Sequence, residues 1–317
     1  MNEFFTSILP SFDFMTRPPH AKITASLVQS FNEGRKLSLF RDRAFVLGLV
    51  ITFVFYAGIV SFLLILTLYL QTGLHFTALA AGLTTASMGL GFFITSTAAV
   101  KVVPLLGGRR ILALGMIIMA SGLIFTWLTV NYGGAQEIFL VAVLFIYGLG
   151  EGFVLPTLVN TVLSGIQSRD AGSIAGVFTT MQQISGAIGV AIIGILFFGQ
   201  LATHANIASH QLTTPLQHEL QAEGLPRAEI RRMTNTFQAC FDDQTPESDS
   251  ALQPESCQRL AIESQISHRT YATVLHTIDQ AKIQNYAYAF AVAVWFNIGL
   301  LLITFVLTFW LPSKISS

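Results

Sequence analysis

The stretch "YGLGEGFVLP", Tyr147 to Pro156, places one carboxylic acid in a run of apolar residues and glycines. Glu151 is the only Asp or Glu inside any of the six long apolar segments of the chain. A central acid in a bilayer costs at least roughly 2.5 kcal/mol, so one kept there is neutral, paired or used. A carboxyl group that loads and unloads a proton is what proton-coupled exchange requires. Tyr147 lies one turn earlier on the same helix face, and Gly148, Gly150 and Gly152 are expected to leave room around the acid. Pro156 withdraws a backbone donor just below. The competing reading is structural, with a protonated Glu151 clamping a neighbouring helix by a hydrogen bond. Tyr56 and Asn160 are further polar residues suited to lining a cavity, while Gln182 and Gln183 suit hydrogen bonds between helices. Asn297 reads as a packing residue facing inward.

Other chemistry has little to stand on. The six segments contain no nucleophile–base pair, no HExxH and no paired carboxylates, so no enzyme is expected. The two cysteines, Cys240 and Cys257, form no CxxC and no metal-like spacing, so neither metal nor cofactor is expected. Lys and Arg number 17, as do Asp and Glu; with no excess of positive charge, nucleic acid is not an expected partner.

The elements that must position Glu151 follow from length and polarity. Charged residues make up 11% of the 317 residues, well below the roughly 25% of soluble domains. A helix needs roughly 20 mostly apolar residues to cross the hydrocarbon core. Six segments qualify, at about 45–70, 77–100, 111–130, 138–164, 172–199 and 287–311. The expected class is all-α: a polytopic membrane protein of six transmembrane helices. No basic stretch precedes the first apolar residues, so a cleaved signal peptide is not expected.

Orientation follows from the basic residues of the short loops. Arg35, Lys36, Arg41 and Arg43 precede the first segment; Lys101, Arg109 and Arg110 lie between the second and third; Arg169 and Lys314 complete the set. The intervening loops "QTGLHF" and "NYGGAQE" carry none. Both termini are expected in the cytoplasm. The domains then read as a cytoplasmic tail at 1–44, helices one to five at 45–200, an extracytoplasmic loop at 201–286, and helix six with a short tail at 287–317. That loop has helical periodicity in "PRAEIRRMTNTFQAC" and "SCQRLAIESQISHRTYATVLHTI". Both cysteines fall in it, and an oxidising exterior would let them form a disulfide.

The segments differ in composition. Gly, Ala, Ser and Thr fill 16 of the 24 positions in segment two but 7 of the 25 in segment six. Small residues let helix backbones approach closely in lipid, so segments two and five are built for packing, and Gly82, Gly89 and Gly186 are candidate contact points. Segment six reads as lipid-facing.

At "SLFRDRAF" (38–45), "GGRR" (107–110), "GLGEGFVLPTL" (148–158) and "GVFTTMQQISGAIGVAIIG" (176–194) the chain resembles the major facilitator superfamily. The likeness is to the C-terminal half of its 14-spanning drug:proton antiporters. It implies one half, two three-helix repeats, of a fold in which two halves face a central cavity. The first and fourth helices of a half line that cavity, the second and fifth meet the other half, and the third and sixth face lipid. Gly108, Arg109 and Arg110 match part of a cytoplasmic loop signature whose acid position is Leu105 here. Residues 1–36 match nothing recognisable, and the signatures of an N-terminal half are absent. The resemblance implies a proton-coupled multidrug efflux component in a bacterial inner membrane. Its partners would be lipid, protons, a lipophilic substrate, and a second half or another copy of itself. The alternative is a non-transporting remnant or a scaffold that interacts through its outer loop.

Overall fold

The computed structural model describes residues 43–132, 137–163, 171–242 and 268–310. Among them run seven α-helices: α1 (Arg43–Leu68), α2 (Ala78–Leu106), α3 (Gly108–Tyr132), α4 (Glu137–Leu163), α5 (Ala171–Ala222), α6 (Arg227–Asp242) and α7 (His268–Thr308). All but α6 are long and apolar enough to cross a membrane. These are the six segments anticipated from hydropathy, and the chain is an all-α polytopic protein. In lipid a backbone without internal partners is prohibitively costly, which leaves helices for segments of this composition. Several hydroxyls inside the spans turn back on their own helix. Thr52 donates to the Gly48 carbonyl at 2.8 Å, Thr95 to Gly91 at 3.0 Å and Thr126 to Gly122 at 2.8 Å, which satisfies each without a partner helix.

α4 packs between α2 and α3, and α7 packs against both α5 and α3. α1 joins the two groups. Its Gly48 meets Val162 of α4, its Ala57 and Val60 meet Gly189 and Gly186 of α5, and its Gly58 faces Leu300 of α7. After Leu68 the helix widens into a π turn, Tyr69–Gly73, in which the Leu74 amide donates to the Tyr69 carbonyl at 2.9 Å. This turn is seated on α7: Tyr69 stacks on Phe290 with ring centroids 4.6 Å apart. A Cβ on Gly73 would lie 2.9 Å from that of Tyr286. His75 follows with a left-handed backbone, φ 56°, and Thr77 caps α2 by accepting from the Ala80 amide at 3.2 Å.

Two helices overrun the membrane. α5 has 52 residues and α7 has 41, lengths of about 78 and 62 Å at 1.5 Å per residue, against a hydrocarbon core of about 30 Å. Their extensions and α6 form a three-helix unit with its own core. Leu212, Leu216 and Leu220 of α5 meet Ile230, Met233 and Phe237 of α6, and Val274 and Ala281 of α7. The stretch read from sequence as a loop at 201–286 is therefore helical across its described residues apart from the short turn between α5 and α6. The apolar span of α7 begins at His276 rather than at 287. The extensions expose polar faces that dilute their hydropathy, while a stripe at helical spacing is buried. Asn285 of α7 donates to the Leu201 carbonyl of α5 at 2.9 Å, and Gln238 of α6 to Thr213 of α5 at 2.9 Å. Cys257 and the side chain of Cys240 lie outside the described residues, and with them the expected disulfide.

α7 is two-sided rather than uniformly lipid-facing. Ala289, Phe290, Ala293 and Val294 are buried, whereas Trp295, Leu302 and Val306 are exposed. Bulky apolar composition allows both surroundings, so it does not reveal which face is covered.

The three-helix unit should respond to its own core. Phe237 is fully buried, and Phe237→Ala should cost that unit about 3–5 kcal/mol. Hydrogen exchange should then accelerate across 212–237 while the amides of α3 and α4 keep their protection.

Candidate functional site

The rotation of α4, and with it the direction of Glu151, is set by glycines. Gly148 and Gly152, one turn apart, face α2: a Cβ on Gly148 would collide with the Met88 carbonyl oxygen, and one on Gly152 with Thr95 Oγ1 and the Phe92 carbonyl. Gly150 faces the other way, where a Cβ would lie 2.5 Å from both the Gly115 oxygen and the Met119 nitrogen of α3. The partners reciprocate, since a Cβ on Gly122 of α3 would sit 2.7 Å from the Tyr147 nitrogen. These glycines do not leave room around the acid, as the sequence suggested. They bring the backbones of α2 and α3 down onto α4.

With both flanks occupied, Tyr147 and Glu151 share the face that meets α1. The Tyr147 ring lies 4.7 Å from that of Phe62 on α1. Glu151 interacts electrostatically with both Tyr147 and Tyr56, the latter also on α1. Glu151 is 7% exposed. No cationic side chain pairs with it among the described residues. Pro156 offers no amide to the Gly152 carbonyl, which loses its usual partner one residue from the acid. The arrangement is one carboxyl group and two phenols in an apolar wall, chemistry that suits holding a proton or the polar end of a lipophilic molecule.

Asn160 stands apart. It is exposed, and nine residues beyond Glu151 a regular helix has turned half a turn out of phase and advanced about 13.5 Å. The packing candidates divide as well. Gly186 is buried against Val60 of α1, where a Cβ would lie 3.2 Å from Val60 Cγ2; Gln182 is half-buried and Gln183 exposed. Gly82 and Gly89 have no atom within 4 Å of an added Cβ and share an exposed strip with Leu79, Leu83 and Leu90. Only 17% of the apolar window of α2 and 28% of that of α5 is buried, against 44–56% in the other four spans. The two helices richest in small residues are thus the two least covered.

Gly108 begins α3, buried, directly after Gly107 with φ 84°. The Arg109 guanidinium lies 5.0 Å from the centroid of the Phe309 ring, in the turn just after α7, and Arg110 is exposed. Sequence reasoning missed the polar contact of His75 Nε2 with Asp279 Oδ1, 2.7 Å apart. It also missed the contact of Trp127 on α3 with Trp295 on α7, ring centroids 5.7 Å apart. Each joins segments more than 150 residues apart, which no local periodicity reports.

Six apolar helices, one of them carrying a buried acid, define a multi-pass membrane protein. The chain belongs to the Major Facilitator Superfamily, whose profile matches residues 5–190, more than half of its length. The match opens well ahead of α1, within the stretch that resembled nothing on its own. The chain is 30% identical over 281 residues to the probable actinorhodin transporter of Streptomyces coelicolor, covering 88% of this chain and 48% of that protein. It is 27% identical over 189 residues to the lincomycin resistance protein LmrB of Listeria monocytogenes, covering 58% and 40%. The multidrug efflux pump LfrA of Mycolicibacterium smegmatis is 21% identical over 216 residues, covering 65% and 42%. The chain spans about half the length of these curated relatives, or less.

The Arg109–Phe309 contact gives a modest test. Arg109→Ala should cost about 0.5–1 kcal/mol, read as a lower unfolding temperature in lipid nanodiscs, while Arg110→Ala leaves that temperature unchanged.

Proposed function

We propose that this chain is the C-terminal six-helix half of a 14-spanning, proton-coupled efflux antiporter for lipophilic, drug-like compounds. The observation that carries the reading is Glu151: a solitary acid, buried, without a cationic partner among the described residues, beside two phenols on the face of α4 toward α1. In this role Glu151 takes a proton from outside and releases it inside as substrate moves the other way. Tyr147 and Tyr56 orient the carboxyl group. Relatives named for antibiotic transport, resistance and multidrug efflux support the substrate class.

The exposed small-residue strips of α2 and α5 receive a second six-helix bundle, carried on the same polypeptide or another, and that bundle supplies the opposite cavity wall. The family match to about half of each relative supports this. Both termini are cytoplasmic, Arg109 and Arg110 anchor the cytoplasmic ends, and the α5–α6–α7 extension lies outside a bacterial inner membrane.

Glu151→Gln should abolish pH-dependent efflux of a lipophilic fluorescent dye from cells expressing the chain with its second half, at unchanged membrane abundance. Undiminished, pH-sensitive efflux by that variant would sink the role of Glu151. Gly82→Leu with Gly89→Leu should leave the six helices folded, because no atom stands near either site. The same pair should prevent co-purification with the second bundle.

A further inference from the structure

A second polar feature borders Tyr147. α1, α3, α4 and α7 line a partly open cavity that offers about 20 Å³ to the centre of a water-sized sphere. Its walls are mostly apolar, with Gly58 of α1, Met119 of α3 and Leu300 of α7 among them. Three lining residues carry side-chain polar atoms: Tyr147, Asn297 and Thr304. Asn297 is 4% exposed, and its amide nitrogen is committed to the Ala293 carbonyl at 3.0 Å. Its Oδ1 accepts no hydrogen bond from any described group. A Cβ on Gly58 would lie 3.8 Å from that oxygen, so Gly58 bounds the space Oδ1 looks into.

An orphaned amide oxygen in an apolar interior costs about 1–3 kcal/mol. The cavity exceeds the roughly 10–15 Å³ of such volume that a water needs, and a water is held when it finds two to four polar partners. Thr304 spends its proton on the Leu300 carbonyl at 2.8 Å and keeps its lone pairs. Tyr147 brings a hydroxyl that both donates and accepts.

We propose that this cavity is an internal hydration site for a single water molecule, which donates to Asn297 Oδ1 and bonds the Tyr147 hydroxyl. The water ties α7 to α4 through the residue next to Glu151 in space. Glu151 is not part of the lining, so the site is distinct from the acid. Tyr147 then has a fixed polar partner in addition to the carboxyl group. It acts as a positioning residue whose hydroxyl is held by α7.

The test is X-ray radiolytic labelling read by mass spectrometry, which marks side chains beside ordered water, on the full chain in nanodiscs. Tyr69, 1% exposed and stacked on Phe290, is the dry reference. Tyr147, 2% exposed, should label at least fivefold faster than Tyr69. Asn297→Leu removes the acceptor and fills the cavity; Gly58→Ser places a hydroxyl where the water stands. Each should lower Tyr147 labelling severalfold. Circular dichroism checks that the helices are retained, and Gly58→Ser decides the matter if Asn297→Leu does not fold. Tyr147 labelling equal to that of Tyr69 would overturn the site. So would labelling that neither folded variant changes, since the water that reaches Tyr147 would then lie outside this cavity. Neither outcome depends on transport, and failure of the efflux role of Glu151 would leave the labelling result intact.

Discussion

Close backbone contact around α4 is the constraint on which the rest depends. Between helices in lipid no hydrophobic drive remains, because acyl chains are as apolar as leucine, and association rests on packing and hydrogen bonds. Gly148 and Gly152 against α2, and Gly150 against Gly115 and Met119 of α3, let these backbones meet with no side chain between them. Any larger residue at these positions displaces a helix rather than a side chain, because the atoms encountered belong largely to the main chain. Once α2 and α3 are seated, α4 has one rotation left. That rotation points Tyr147 and Glu151 at α1, and it carries Tyr147 onto Phe62 and into the wall of the cavity beneath Asn297.

α1 is the second organising element, because it bridges the α2–α3–α4 cluster to the α5–α7 pair. It does so with small surfaces at successive levels: Gly48 under Val162, Ala57 under Gly189, and Gly58 facing α7. Its final turn widens at Tyr69–Gly73 and is seated on Tyr286 and Phe290 of α7. About two helical turns before Tyr286 on α7, His75 reaches Asp279. The α5–α6–α7 extension is therefore attached to the end of the helix that faces Glu151, through aromatic stacking, a glycine contact and a polar contact.

The spans were legible because the hydrophobic thickness of a bilayer translates into a residue count, and all six are present, although that of α7 starts at His276, earlier than the count placed it. Glu151 was legible because one acid in six apolar segments is conspicuous. The extension was only half legible. The periodicity of α6 announced itself in "PRAEIRRMTNTFQAC", but the continuation of α5 to Ala222 did not, since its polar face lowers the hydropathy that marks a span. The faces of α2 were not legible at all. Ser87 and Gly91 are buried while Gly82 and Gly89 are bare, and the residue types at the two phases are the same.

From the sequence alone came the class of the protein, the number of spans, the acid and the two helices rich in small residues. These are properties of composition over a length, and a bilayer reads them without reference to neighbours. Tertiary structure alone decided which way Glu151 looks, which small faces are used and which stay open, and that Asn297 of α7 shares a cavity with Tyr147 of α4. Those depend on helix rotation, and rotation is set by which backbones can touch. Such contact joins residues far apart in the chain and leaves no periodic trace within either helix.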